Sequence, residues 1–398
     1  MSVSAKLNEG PAPLKGEGGE DGPVAFIDLK AQQAVIRERV EARLMTVLDH
    51  GRYIAGPEIE ELERTLADKV GVKHCIACSS GTDALIIPMM ALGLTRGDAV
   101  FVPAFTYNAT ANAVVIAGGV PVFVDIDPDG FNMDPEDLKA RVREARAHGL
   151  NPRAVCAVDL FGVPADYPAI TAICEAEGLA LFADGAQSFG GQQAKDGESR
   201  WVGSLAPVTG TSFFPGKALG GYGDGGATFT DDDEMAATCQ SIRWHGTDEA
   251  RAESVRVGLN GRMSSFQAGV LLEKEAIFWD ELEARRRAAA IYDERLDGLC
   301  DRQAIPDGTR SGYGYYTVAV DHRDRVREAM QNDGIPTAIY YKQPLHHMKA
   351  FAPYPPYGPL PNCERAAGRV MSLPMHPYLT EAQAHRVCDA YERAVARS

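Results

Sequence analysis

What this 398-residue chain lacks narrows its chemistry first. No run approaches the ~18 apolar residues of a membrane-crossing helix, so no membrane partner is expected. Lys and Arg total 40 against 55 Asp and Glu, a formal charge of −15, and no Lys/Arg cluster stands out, so a nucleic-acid partner is not expected. Anions must then be held locally, by loops and helix starts. The eight cysteines are scattered, and Cys75-Ile76-Ala77-Cys78 is a CxxC without a second pair, lying in an apolar run. Buried thiols fit that pattern better than a metal or redox site, and no metal is expected. No GxGxxG follows the first strand candidate, which leaves a nicotinamide enzyme without support. A Walker A loop fails too, because Gly210 and Gly216 enclose one residue too many and Ala218 stands where Ser or Thr would hold magnesium. Residues 1–22, rich in Gly and Pro, read as a disordered tail and not a signal peptide, so a cytoplasmic location is expected.

At 45% hydrophobic, the chain can bury a large core and is expected to split into two domains. Ile59, Leu62, Leu66 and Val70 follow Pro57 at helical spacing, so 57–70 reads as an amphipathic helix. Strands are expected at Cys75–Cys78, Ala99–Val102, Val122–Ile126, Ala154–Val158, Ala180–Ala183 and Val208–Phe213, with helices over 82–93, 106–117, 135–147 and 166–177. That alternation implies an α/β fold with a mainly parallel, doubly wound sheet. Beyond residue 260 a charged helix from Leu271 to about Leu299 leads to strands at Tyr313–Val320 and Thr337–Tyr341, with helices near 323–332 and 380–396. The reading is a large domain over 23–265, then a connector helix and a smaller α+β domain over 266–398. Phe351 to Pro361, rich in proline, is expected to be an ordered surface loop.

Ligands of open α/β sheets bind beyond the carboxyl ends of the strands, and four segments put reactive groups there. Ser79-Ser80-Gly81-Thr82 follows a strand and opens a helix; Gly81 permits close backbone approach, and the Thr82 hydroxyl with the first-turn amides suits an anion, unless Ser80 or Thr82 merely caps the helix. Tyr107, after the next strand, either stacks on a planar ligand or fills the core. Asp184 ends an apolar strand and either meets a cationic partner such as a pyridinium nitrogen or caps a helix; Gln187, three residues on, could reach a ring hydroxyl. Lys217 lies between Thr211-Ser212-Phe213-Phe214-Pro215-Gly216 and a glycine-rich turn over Gly220–Gly226. It is either a solvated loop lysine or a desolvated amine able to attack a carbonyl, with the Ser212 hydroxyl near enough to share its ligand.

In this order, Ser-Gly-Thr-Asp-Ala-Leu, Asp-Gly-Ala-Gln-Ser-Phe-Gly and Ser-Phe-Phe-Pro-Gly-Lys resemble the fold-type I pyridoxal phosphate (PLP) aminotransferases, within them the DegT/DnrJ/EryC1/StrS nucleotide-sugar aminotransferases. The resemblance runs from Ala25 to Pro377 and implies a seven-stranded, mainly parallel sheet with a smaller C-terminal α+β domain. It implies that Lys217 carries the cofactor PLP as a Schiff base, is released from it when the cofactor is aminated to PMP, and shuttles the proton. Asp184 would pair with the pyridine nitrogen, Gln187 contact the ring hydroxyl, Gly81, Thr82 and Ser212 hold the phosphate, and Tyr107 stack on the ring. Asn260 would reach the phosphate in the neighbouring subunit, making the homodimer's active site composite.

Arg256-Val257-Gly258 before Asn260, and the Met371–Leu379 segment, are similar to the subgroup aminating C3 of a UDP-2-acetamido-2-deoxy-3-keto-hexuronic acid from L-glutamate. Arg262 would then hold the sugar carboxylate, and Tyr340 and Tyr341 would contact substrate, with Tyr340 replacing that subgroup's His. The alternatives are a 4-aminotransferase for a UDP-, dTDP- or GDP-4-keto-6-deoxy sugar, a PLP-dependent sugar dehydratase, or a non-catalytic PLP-binding protein.

Overall fold

The computed structural model describes residues 22–195 and 197–397. The tail expected over 1–22 lies outside the described residues except for Gly22. Strands run as β1 (His74–Cys78), β2 (Asp98–Pro103), β3 (Val120–Val124), β4 (Asn151–Val158), β5 (Ala180–Asp184), β6 (Gln192–Lys195), β7 (Glu198–Trp201), β8 (Val208–Ser212), β9 (Gly226–Thr230), β10 (Asp301–Arg302), β11 (Thr309–Arg310), β12 (Tyr316–Ala319) and β13 (Val370–Leu373). Helices run as α1 (Leu29–His50), α2 (Pro57–Val70), α3 (Gly81–Ala91), α4 (Ala109–Ile116), α5 (Pro135–Ala147), α6 (Tyr167–Glu177), α7 (Asp233–Arg243), α8 (Ser265–Arg295), α9 (Arg323–Asn332), α10 (Pro361–Arg369) and α11 (Glu381–Ala396).

The main sheet has the order β1-β9-β8-β5-β4-β2-β3, and β9 alone runs against the other six. All six residues of β2 are buried, as a central strand covered on both faces must be. Leu85, Val114 and Phe123 fill one face, while Leu138, Val142 and Ile170 fill the other. The α2 stripe of Ile59, Leu62, Leu66 and Val70 is buried against this body. Cutting Leu66 to Ala is expected to cost about 2–5 kcal/mol.

Sequence and structure part at specific places. The seventh strand, β9, begins inside the glycine run that reads locally as a turn. Gly226 is required there, since a methyl group would strike the Ser80 carbonyl. The connector helix α8 starts at Ser265, earlier than expected, because the Ser264 hydroxyl caps it by accepting from Gln267 N at 3.4 Å. The strand expected at Thr337–Tyr341 does not form. Ala338 alone pairs with Ser372 (3.2 and 2.8 Å), and Pro336 lacks the amide that a longer ladder would use. The chain then turns, carrying Tyr340 and Tyr341 to the edge of the main sheet's cavity. The second, three-stranded sheet, β10-β12-β13, packs with α9 and α11 around a separate core that includes Val318, Met371 and Tyr391. A third small sheet, β11-β6-β7, lies apart from both.

Candidate active site

A cavity of about 410 Å³ opens beyond the carboxyl ends of β1, β2, β5 and β8. Nine of the sequence-picked residues line it: Gly81, Thr82, Tyr107, Asp184, Gln187, Ser212, Lys217, Tyr340 and Tyr341.

One end is built for an anion. Ser80, in extended conformation, caps α3 by accepting from Asp83 N at 3.1 Å, so the capping role belongs to Ser80 and the Thr82 hydroxyl is left to the cavity. The first-turn amides have no intrahelical partner and carry the positive end of the helix dipole. Ser212 faces them across a gap so close that a methyl group on Gly81 would collide with it. A phosphate fits this cradle of amides and hydroxyls.

The other end holds the acid. Asp184 is 6% exposed at the end of β5, and burial pushes its carboxyl above the ordinary range. Three groups hold that rise down: the Thr110 hydroxyl, donating at 2.7 Å, the Ala186 amide at 3.2 Å and the nearby Lys217 ammonium. No helix begins at Asp184, so the capping alternative fails. A protonated ring nitrogen fits this end, because a buried carboxylate that is only partly offset gains from a cation. Gln187 is held from both sides, its Oε1 accepting from Phe161 N (2.7 Å) and its Nε2 donating to the Tyr341 hydroxyl (3.0 Å). Behind it, buried Asp159 accepts from Tyr167 and Ser188, and burial pushes its carboxyl up to about 6.

Lys217 follows a tight turn in which its amide donates to Phe214 O at 2.9 Å. Gly220 is needed just after it, because a methyl group there would press on the carbonyls of Phe214 and Pro215 at 2.6 Å. Burial pushes the Lys217 amine down to about 8 while Asp184 pulls the other way, so the solvated-lysine alternative does not hold. Tyr107 is 57% exposed and lies 6.0 Å from the Tyr341 ring, which removes the core-aromatic alternative. Cys75 and Cys78 are buried free thiols, both pushed up by burial.

Asn260 and Arg262 are not in this cavity of their own chain. Arg262 Nε donates to Asn260 Oδ1 at 2.8 Å, and its guanidinium lies 4.6 Å from the centre of the Trp244 ring. Among the described residues, Lys217 is thus the one cationic side chain lining the cavity. Sequence reasoning missed Thr110, Asp224 and Tyr315. Thr110 carries a readable signal, a hydroxyl that is buried in the mostly apolar Ala-Thr-Ala-Asn-Ala-Val-Val-Ile run of α4.

An amide-and-hydroxyl cradle, a buried acid and a desolvated lysine at the mouth of a parallel sheet define the class: a PLP-dependent transaminase of fold type I. The chain belongs to the DegT/DnrJ/EryC1/StrS aminotransferase family, whose model matches residues 34–392. It is 44% identical over 368 residues to a Pseudomonas aeruginosa UDP-2-acetamido-2-deoxy-3-oxo-D-glucuronate aminotransferase, covering 92% of this chain and 99% of that one. A solved DegT DnrJ EryC1 StrS aminotransferase from Brucella abortus superposes with a TM-score of 0.90 at 46% identity, covering 93% of this chain and 98% of the other. Bacillus subtilis NtdA, solved with bound PMP, superposes with a TM-score of 0.83 at 28% identity, covering 93% and 83%. Among the described residues, no helix is long and apolar enough to cross a membrane.

Proposed function

We propose that the protein transfers an amino group from L-glutamate to C3 of UDP-2-acetamido-2-deoxy-3-keto-hexuronic acid, in the cytoplasm, for surface polysaccharide synthesis. The observation that carries the chemistry is the meeting of Lys217, Asp184 and the Gly81–Thr82–Ser212 cradle in one cavity. The likeness to the P. aeruginosa 3-oxo-D-glucuronate enzyme supports the sugar.

Bound in the cavity, PLP supplies a carbonyl with which amines condense and a protonated ring that accepts the electron pair of a broken C–H bond. Gly81, Thr82 and Ser212 would hold the phosphate, and Asp184, itself fixed by Thr110 and Ala186, would keep the ring nitrogen protonated. Gln187, fixed by Phe161 and Tyr341, would hydrogen-bond the ring hydroxyl, and Tyr107 would cover the ring. The Lys217 amine, lowered to about 8, would hold the cofactor through its carbonyl and would serve as the base and acid at the substrate carbon. Residues 23–265 bind the cofactor, and 266–398 supply Tyr340 and Tyr341 to the sugar.

The active protein is a homodimer. Asn260 and Arg262 serve the partner's cavity, Asn260 at the phosphate and Arg262 at a substrate carboxylate, which a cavity with one lysine cannot otherwise meet. The alternative, a 4-amino-6-deoxy sugar, is favoured by Tyr340, whose phenol replaces the imidazole of the 3-keto-hexuronate subgroup. The test is a panel of UDP-, dTDP- and GDP-linked amino sugars, scored by which one bleaches the visible band of the holoenzyme. A UDP-linked 3-amino uronate should do so; bleaching by 4-amino-6-deoxy sugars alone would overturn the choice of sugar.

A further inference from the structure

A second cluster of chemically capable side chains lies outside the cavity. His346 and His347 sit in the short helical turn Leu345–His347, and Glu364 lies in the first turn of α10. Each side is anchored by backbone. Leu345 N donates to Ala104 O at 2.8 Å, while Asn362 N and Cys363 N donate to the Asp125 carboxylate at 2.9 and 2.8 Å. These anchors bring two imidazoles to one carboxylate: His346 Nε2 lies 3.3 Å and His347 Nε2 3.5 Å from the same Glu364 oxygen. All three ligand atoms fall within 4.8 Å of one another, and among the described residues no other His/Cys/Asp/Glu trio meets that test.

The spacing is informative. A charge-assisted hydrogen bond would close to roughly 2.7–2.9 Å. Ligand atoms placed about 2.1 Å from a tetrahedral zinc ion stand about 3.4 Å apart. His346 makes a long hydrogen bond to Glu364 at 3.3 Å, and both observed separations suit two ligands of one ion. The His346 side chain is 5% exposed, so packing fixes its ring beside Glu364. Asp125 adds negative potential nearby.

We infer that His346, His347 and Glu364 bind one divalent transition-metal ion of the zinc type, with a remaining position open to water. None of the three lines the Lys217 cavity. The ion clamps the Leu345–His347 turn to α10, and through Leu345 to the chain just past β2. The sequence shows no ligand spacing because the His pair meets Glu364 only on folding.

The test uses untagged holoenzyme, stripped with a chelator and dialysed against Zn²⁺, with bound metal counted by elemental analysis. One equivalent per chain is expected, and Co²⁺ in its place should give the strong visible bands of a four-coordinate ion. His347→Ala and Glu364→Gln should each weaken binding at least ~10-fold, since even outer-shell losses cost that much. Both side chains are about half exposed, so neither change opens the core, and melting curves verify that the fold survives. His74→Ala, at an unrelated surface pair with Asp233, should leave binding unchanged. Zn²⁺ binding that survives both His347→Ala and Glu364→Gln, or no binding above that of the double variant, would overturn the inference.

Discussion

Thr110→Val removes one hydroxyl from beside Asp184 and little else. Thr110 is fully buried, and its hydroxyl donates to Asp184 Oδ2 at 2.7 Å, favouring the ionised carboxylate that burial opposes. Hydrogen bonds to charged groups contribute about 1.5–3 kcal/mol, which is roughly one to two pKa units. The sign follows directly: without the donor, the Asp184 carboxyl rises further and holds a ring proton less firmly. The expected result is a loss of about 10- to 100-fold in kcat/KM, with the acid limb of its pH profile moved up by about one to two units. Valine nearly preserves volume, so the melting temperature should change far less than activity does. The assay is the glutamate half-reaction followed by loss of visible absorbance across pH, with cofactor affinity measured alongside. A variant with an unmoved acid limb and activity within about twofold of the parent would refute the role given to Asp184 and its donor.

In the cofactor-free protein, the Lys217 amine should be half neutral near pH 8, so its rate of covalent capture by an aldehyde should rise with a midpoint there; a midpoint near 10.5 would show a solvated lysine instead. Because the folded value is the lower one, the same group contributes stability that grows as pH rises from about 8 towards 10.5. Gly81→Ala forces a methyl group against Ser212 and should weaken PLP binding by ~10-fold or more through overpacking of about 1–3 kcal/mol, and an unchanged dissociation constant would sink the cradle. Asn260→Ala should loosen cofactor retention by ~10-fold in a dimer that stays intact by sedimentation, the loss of a hydrogen bond to a charged group; full retention would remove Asn260 from the shared site.

Local pattern carried much of the fold. Pro57 at a helix start, the Ile59-Leu62-Leu66-Val70 stripe and short apolar runs between helices were legible because each signal lies within one element. What escaped depends on partners distant in sequence. β9 looks like a continuation of its glycine turn until β1 and β8 take it between them, and α1 has only a thin buried stripe, Ile36, Val40 and Val47, laid against α8. Thr337–Tyr341 has strand-like composition, yet only Ala338 finds a pairing partner. The site was legible where a residue ends a strand or opens a helix, as Asp184 and Gly81 do. It was not legible where a neighbouring element supplies the contact, as Thr110 does from α4 and Tyr315 from just before β12.

Two desolvated lysines compete for the central role, since burial also pushes Lys274, beside Glu281 and 4.5 Å from the Tyr222 ring centre, down to about 8. Borohydride reduction of the holoenzyme, followed by peptide mapping, separates them in one measurement. The phosphopyridoxyl group should appear on the peptide containing Lys217 and on no other. Its appearance on Lys274, or on no lysine at all, would contradict the assignment of the active site.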